Sequence, residues 1–210
     1  MTMLRASGGK VLLKFEGARR QLGSALALYL DDLDPVSVHC LAGGGCEVIE
    51  FYAEKSGRQP FKNHILATAS DLDIEELRRL QRQYWNAFKH ATRRRGQQWV
   101  ERDDEELLTR FTDEQNDHVL YIGWHDYFLA TGTMPIEAQA HQAWYIAKYP
   151  EKLNPDRSIE PFDRLFPNLH ACTRTEQKAS LRNSIREARS NPDVMSHPQT
   201  DRRPLVLPWP

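Results

Sequence analysis

The stretch YWNAFKHATRRR, residues 84–95, contains side chains suited to acid–base chemistry on a phosphodiester. Asn86 and His90 are four residues apart, so they are neighbours if the stretch is a helix. The amide of an asparagine can hydrogen-bond an imidazole and set its tautomer. An imidazole held in this way transfers protons, and nearby cations stabilise the negative charge that develops on the phosphate. We therefore take His90 and Asn86 as candidate catalytic residues.

Basic side chains surround this candidate pair. At about 100° per residue, most of them share one continuous polar helix face with Asn86. The candidate nucleic-acid-binding residues are Arg82, Lys89, Arg93 and Arg94. Two interpretations remain open. Either this face binds nucleic acid, or it is an ordinary solvated surface in which Glu75 and Glu76 pair with arginines one turn away.

A helix from residue 71 to residue 95 must position these side chains. Acidic residues open the segment and three arginines close it, which suits the helix dipole, and Gly96 is predicted to end it. Apolar residues at helical spacing predict the buried stripe of this helix, which comprises Ile74, Leu77, Leu80, Tyr84, Phe88 and Ala91.

The preceding segment contains an unusual glycine triplet at residues 43–45. Asp34 and Pro35 are typical of a helix N-cap and first turn, and Gly57 is typical of a helix end. Each interior glycine costs a helix about 1 kcal/mol relative to alanine. The triplet is therefore either a loop that splits the segment or a place where another backbone approaches closely. The uninterrupted apolar stripe favours the helix.

Helical periodicity recurs along most of the chain and predicts an all-α fold, a helical bundle of about five to seven helices. We expect a single bundle domain over residues 1–190, with Trp99, Trp124 and Trp144 as core anchors. Residues 191–210 contain five prolines and predict an extended tail. This tail either docks on a protein partner or folds back on its own bundle.

Composition limits the function classes. With 28 basic and 29 acidic residues the net charge is −1, so any nucleic-acid footprint must be local. Three widely spaced cysteines without a CxxC pair indicate a reducing environment, and we expect a cytoplasmic protein. No apolar run is long enough for a secretion signal or a membrane span, so no membrane partner is expected.

The histidines give little support for a metal site. No pair of them has the spacing of a known zinc motif, and we expect neither a metal nor a cofactor. The histidines that fall on four different predicted helices are His39, His90, His118, His125 and His141. Of these, His39 lies beside an apolar stripe and is expected to be a hydrogen-bonded core residue.

Three motifs in chain order, DDLDPVSVHCLAGGGCEVIEF, NAFKHA and AWYIAKYPE, resemble those of an uncharacterised family of small bacterial helical proteins. The resemblance covers roughly residues 20–150. Members of that family tend to have alanines where this chain has residues 43–45, which favours a helix there. They also have an aspartate where this chain has Thr92.

The NAFKHA segment in turn resembles, more distantly, the HEPN superfamily of helical, often dimeric proteins, many of which are metal-independent ribonucleases. Asn86 and His90 match the polar residue and the histidine of its signature, whereas Trp85 stands where the signature has an arginine. The resemblance implies a HEPN-like central helix pair, a homodimer, RNA as a partner, and a role in bacterial stress or defence.

We therefore expect an RNA-binding protein or a degenerate ribonuclease, with binding ranked above catalysis because of Trp85. Two alternatives remain. One is a non-catalytic protein–protein interaction module that uses the polar helix face and the proline-rich tail. The other is a metal-dependent bundle hydrolase.

Overall fold

The computed structural model describes residues 13–68, 71–152 and 158–208. Ten α-helices make up most of these residues, more than the predicted five to seven, and the strands are short. The chain is mostly helical, as its periodicity predicts. The chain divides into two compact units, Met1–Ala130 and Thr131–Pro210. Among the described residues, no helix is both long and apolar enough to cross a membrane.

The first unit is built from helices and one two-stranded ribbon. Its elements are α1 (Leu13–Leu30), α2 (Pro35–Lys55), α3 (Phe61–Thr68), α4 (Ile74–Lys89), β1 (Thr92–Arg95), β2 (Gln98–Glu101), α5 (Glu105–Leu108) and α6 (Gln115–Thr131). α2 begins as predicted, because the Asp34 carboxylate accepts hydrogen bonds from the backbone N–H groups of Val36 and Ser37. It ends just before Gly57, which has φ +77°.

Glycines bring α1, α2 and α6 close together. α2 is continuous through residues 43–45, which confirms the helical interpretation. A Cβ on Gly45 would lie 2.9 Å from Leu22 Cγ and 3.1 Å from the carbonyl oxygen of Ala18, so glycine allows α1 to approach here. A Cβ on Gly123 of α6 would lie 2.7 Å from Cδ2 of the same Leu22. Small residues on two helices therefore accommodate one leucine of the third.

α4 packs on α2 through Trp85. This side chain is buried, and its ring occupies the space that a Cβ on Gly43 would need, at 2.7 Å from Cγ and Cδ1. Leu80, predicted to lie in the buried stripe, is exposed, whereas Leu77 is buried as expected. The buried side of α4 therefore includes Trp85, which the sequence analysis noted only because it stands where the HEPN signature has an arginine.

The prediction that this helix continues to Arg95 is wrong. α4 ends at Lys89, and His90 at the C-cap has extended torsion angles, φ −124° and ψ 117°. Residues 92–101 instead form the antiparallel ribbon β1–β2. Gly96, at φ +61°, takes the first position of the two-residue turn, where a positive φ is required. It closes the ribbon and not the helix.

The second unit consists of short elements around α7 and α9. The elements are β3 (Met134–Pro135), α7 (Ile136–Lys148), a 3-10 turn (Pro150–Lys152), α8 (Glu160–Leu165), a 3-10 turn (Leu169–Ala171), α9 (Arg174–Ser190), α10 (Pro192–Ser196) and β4 (Thr200–Asp201). A capping box of Thr173 and Glu176 begins α9. The buried Trp144 of α7 donates a hydrogen bond to the carbonyl oxygen of Gln177 at 3.0 Å, which joins the two helices.

The proline-rich residues up to 208 pack within this second unit. Residues 192–196 form α10, and β4 pairs in parallel with β3, with Thr200 opposite Met134 and Asp201 opposite Pro135. Leu205 is buried as well. These residues are therefore folded back and not an extended tail, while docking of the segment on a protein partner stays a prediction. The last two residues, 209–210, lie outside the described part of the chain.

Candidate functional site

The ribbon β1–β2 places basic side chains in solvent. Every residue of β1 is exposed, and in β2 Val100 alone is half-buried. The strands pair in the register Thr92 with Glu101, Arg93 with Val100, Arg94 with Trp99 and Arg95 with Gln98. The three consecutive arginines of the sequence therefore project from an exposed ribbon and not from the last turn of a helix.

Within the described residues, none of the three β1 arginines pairs with a carboxylate. Within the part of the chain that the structure describes, Arg93 and Arg95 form no ion pair and no side-chain hydrogen bond. Arg94 donates through Nε to the carbonyl oxygen of Gly96 at 3.1 Å. Arg102, just beyond β2, differs because its Nε lies 2.5 Å from Oδ2 of Asp104. The ribbon arginines thus remain available to an external anion.

Trp99 adds a large aromatic surface to the ribbon. Its side chain is 71% exposed, so the prediction that it anchors the core is wrong, although it is confirmed for Trp124 and Trp144, which are fully buried. An exposed indole beside uncommitted guanidinium groups is suited to stacking on a nucleic-acid base. Trp99 instead lies on β2, a strand that the sequence did not predict, and its side chain faces solvent.

Asn86 and His90 do not form the predicted side-chain pair. The backbone N–H of His90 donates to the backbone carbonyl of Asn86 at 3.0 Å. Within the described residues, however, neither side chain makes a hydrogen bond to the other. The extended torsion angles of His90 take it out of the i, i+4 row on which the prediction depends. The imidazole is exposed to solvent.

The predicted binding residues on α4 are already partly engaged. Arg82 lies 3.7 Å from Glu47 of α2. The Lys89 ammonium nitrogen lies 4.0 Å from the centroid of the Trp85 ring, within the range of a cation–π interaction. The structure therefore separates the four predicted binding residues. Arg82 and Lys89 stay on the helix, while Arg93 and Arg94 lie on the ribbon.

An oriented imidazole does exist, but in the core of the first unit. Nδ1 of His39 lies 3.0 Å from Oδ1 of Asn116, and Nδ2 of Asn116 donates to the carbonyl oxygen of Pro35 at 3.0 Å. Because the amide oxygen faces the ring, Nδ1 carries the hydrogen and Nε2 carries the lone pair. Burial lowers the pKa of His39, which keeps the ring neutral at neutral pH.

Aromatic rings and a second buried hydrogen bond surround this pair. The rings of Tyr84, Phe88 and Phe111 lie edge-on to the His39 imidazole, at centroid distances of 6.0, 6.4 and 5.3 Å. Next to Asn116, Asp117 accepts a hydrogen bond from the Tyr29 hydroxyl at 2.6 Å. His39 and Asn116 are 77 residues apart, so no spacing rule could have found them. Together these contacts fasten α1, α2 and α6.

A third polar cluster holds the short helix α3. Oδ1 of the buried Asp126 accepts the backbone N–H of Phe61, the first residue of α3, at 2.8 Å. Burial is the main cause that raises the pKa of Asp126 to about 7. Lys62 bridges Glu50 and Glu54 of α2, with its ammonium nitrogen 2.6 Å from a carboxylate oxygen of each. These groups satisfy one another and anchor α3.

Across the described residues, no three or more His, Cys, Asp or Glu side chains are grouped in a way that could hold a metal ion. No protein-family model, no curated protein and no solved structure matches the chain. Any functional assignment must therefore come from the geometry of the chain itself, and the ribbon brings together three exposed arginines and an exposed indole.

Proposed function

We propose that this protein binds RNA through the exposed ribbon β1–β2 and does not cleave it. The observation that carries the proposal is the state of the three consecutive arginines on β1. All three are exposed, and none of them has a carboxylate partner within the described residues. Guanidinium groups recognise phosphate in a fixed fork geometry, so uncommitted arginines on a protruding element suit a polyanionic ligand.

The charge distribution is compatible with a local footprint. The chain as a whole carries a net charge of −1, so long-range attraction by the entire molecule does not operate. The ribbon itself has three arginines against one acidic residue, Glu101. The acidic run that follows is partly neutralised, because Asp104 pairs with Arg102 and Glu106 pairs with Arg110.

Binding without cleavage follows from the surroundings of His90. General acid–base catalysis needs an imidazole held within hydrogen-bonding reach of an orienting group. His90 has no such partner among the described residues, and Trp85 occupies the position of the arginine in the HEPN signature. The resemblance to HEPN proteins supports RNA as the nucleic acid and a role in bacterial stress or defence.

The salt dependence of RNA binding tests this proposal. Replacement of Arg93, Arg94 and Arg95 by glutamine should weaken binding and reduce the slope of log K against log salt by about two, since each phosphate contact on a single strand contributes about 0.7. The matched control replaces three exposed arginines outside the ribbon, Arg78, Arg79 and Arg110, by glutamine. It changes the net charge equally and should leave the slope almost unchanged. Equal slopes for the two triple variants would rule the proposal out.

A second candidate function is a protein-interaction module, which the exposure of Trp99 favours. Tryptophan and arginine are the side chains that dominate protein–protein interfaces. In that case binding to RNA should be absent, and the triple arginine variant and a Trp99→Ala variant should both lose the same protein partner in a pull-down followed by mass spectrometry.

A further inference from the structure

The two faces of the ribbon carry different side chains. In an antiparallel pair, residues directly opposite each other point to the same face, and successive residues alternate. Arg94 is opposite Trp99, so these two side chains share one face. Arg93 and Arg95 are opposite Val100 and Gln98 and share the other. The sequence shows three equivalent arginines, whereas the register makes Arg94 the single arginine beside the indole.

We propose that the face formed by Arg94 and Trp99 is a binding site for one unpaired nucleotide of a single-stranded RNA. The base stacks on the Trp99 indole, and the guanidinium of Arg94 contacts the adjacent phosphate. This inference rests on the proposed RNA binding and assigns its ligand class. It also gives the arginines different roles. Arg93 and Arg95 attract the strand electrostatically from the opposite face and do not contact the stacked nucleotide.

The position of Arg94 supports this pairing. Directly opposite residues on one face have Cβ atoms about 4.5–5.5 Å apart, so both side chains reach the same nucleotide. The Nε of Arg94 donates to the carbonyl oxygen of Gly96 at 3.1 Å, which draws the guanidinium toward the turn. An arginine held by its own backbone loses less rotamer freedom when it binds phosphate.

A single strand fits this face better than a duplex. Stacking needs a base with a free π-face, which a single strand offers at each nucleotide. The major groove of an RNA duplex is deep and narrow, so side chains cannot read it, and its minor groove is shallow. The major groove of B-form DNA does admit a two-stranded ribbon, and duplex DNA is therefore included among the probes.

The experiment is a set of affinity measurements with a fluorescein-labelled single-stranded RNA of about twelve uridines, a length within the usual site sizes of single-strand binders. Trp99→Leu should weaken binding about 5- to 100-fold, which corresponds to the loss of one base stack, and Trp99→Phe should recover much of the affinity. Because these side chains are exposed, circular dichroism and the melting temperature should not change.

Double variants test the division between the two faces. Arg94→Gln combined with Trp99→Leu should weaken binding by clearly less than the product of the two single effects, because both side chains hold the same nucleotide. Arg93→Gln combined with Trp99→Leu should multiply the single effects, since the two side chains point to opposite faces. Equal coupling of Arg93 and Arg94 to Trp99 would overturn the face assignment.

Other outcomes separate this inference from the proposed function. If Trp99→Leu binds as tightly as the natural protein while the triple arginine variant binds weakly, the stacking site is refuted and RNA binding stands. Tighter binding to duplex RNA or duplex DNA of the same length would refute the ligand class. If the triple arginine variant binds the single strand as tightly as the natural protein, both the site and the proposed function fail.

Discussion

Two asparagine–histidine pairs in the first unit have opposite surroundings. Asn86 and His90 are four residues apart in sequence, yet within the described residues their side chains share no hydrogen bond, and His90 is exposed. Asn116 and His39 are 77 residues apart, yet they form a buried hydrogen bond that sets the imidazole tautomer. The arrangement that the sequence predicts for the first pair is therefore realised by the second.

The comparison teaches that short spacing brings side chains together only while the helix lasts. α4 ends at Lys89, one residue before the histidine, and the pair is lost. The buried pair depends instead on the packing of α6 against α2, and its polar groups stabilise the fold. The exposed region, with its ribbon, keeps polar groups free for a ligand. Substitutions at the buried pair should therefore lower the stability of the protein, whereas substitutions on the ribbon should change ligand binding.

The largest effect is expected from Asn116→Ala. Loss of this amide leaves the buried N–H of the His39 ring without its partner and removes one hydrogen bond to the half-buried Pro35 carbonyl, so the free energy of unfolding should fall by about 3–5 kcal/mol. The matched variant Asn86→Ala should change it by less than about 0.5 kcal/mol. Urea denaturation of both variants measures the difference, and similar losses for the two asparagines would contradict the comparison.

The next largest effect concerns Asp126, another buried polar group. Its pKa is raised from 3.8 to about 7 in the folded protein, so folding favours the protonated form and stability is lost as the pH rises through this range. Asp126→Asn keeps an acceptor for the Phe61 N–H but cannot ionise. Above about pH 7 the variant should therefore gain about 2–4 kcal/mol relative to its difference at about pH 4.

Subtraction of the two pH profiles isolates this group, because every other titratable residue is common to both proteins. His39 and His125, whose pKa values burial lowers, act in the opposite direction and lose stability as the pH falls. Their contribution cancels in the subtraction. Urea unfolding curves that differ by the same amount at all pH values would show that Asp126 is not the titrating group.

Smaller changes in stability, of opposite sign, are expected from alanine substitutions at two glycines of the triplet. Gly45→Ala should lower stability by about 1–3 kcal/mol, because its Cβ would press on Leu22 and the Ala18 carbonyl. Gly44→Ala should instead raise stability by about 0.5–1 kcal/mol, since its Cβ would meet the Gln21 side chain at an ordinary 3.4 Å while alanine favours the helix. Thermal melts of the two variants should shift in opposite directions. Upward shifts for both variants would show that helix propensity, and not packing, controls this segment.

The smallest effect is expected from His90→Ala. The side chain is exposed, so the stability should change by less than about 0.5 kcal/mol. Incubation of labelled RNA with the natural protein in the presence of a metal chelator should show no cleavage, and the variant should behave identically. Cleavage by the natural protein that disappears in His90→Ala would make His90 a catalytic residue and would reverse our ranking of binding above turnover.

Both ends of α2 were predicted well from the local sequence. The Asp34 cap with Pro35 and the glycine before which α2 ends act within a few residues, so they can be recognised without knowledge of the fold. The continuity of α2 through residues 43–45 was also predicted, because the apolar stripe continues across them. What the stripe could not reveal is which partner fills the space, namely Leu22 at Gly45 and the Trp85 ring at Gly43.

The end of α4 was predicted wrongly for a physical reason. Arginine is a good helix former and suits a helix C-terminus, so the local preference of residues 93–95 agrees with a longer helix. The ribbon forms in place of a longer α4 because Gly96 allows a tight turn and β2 supplies backbone hydrogen-bond partners for β1. Strand pairing depends on two segments together, whereas hydrophobic periodicity is analysed within one segment. Periodicity therefore could not predict the ribbon.

By itself, the sequence determined that the chain is mostly helical, where α2 begins and that any basic footprint must be local, because capping, periodicity and charge balance are local or additive properties. Only the tertiary structure decided which side chains are buried with partners and which are left exposed. Asn116 bonds His39 across two helices, and Arg94 lies opposite Trp99 on the neighbouring strand. Such pairs depend on how segments that are distant in sequence pack together. The free energy of burial and of strand pairing determines that packing, and the spacing of residues along the chain does not.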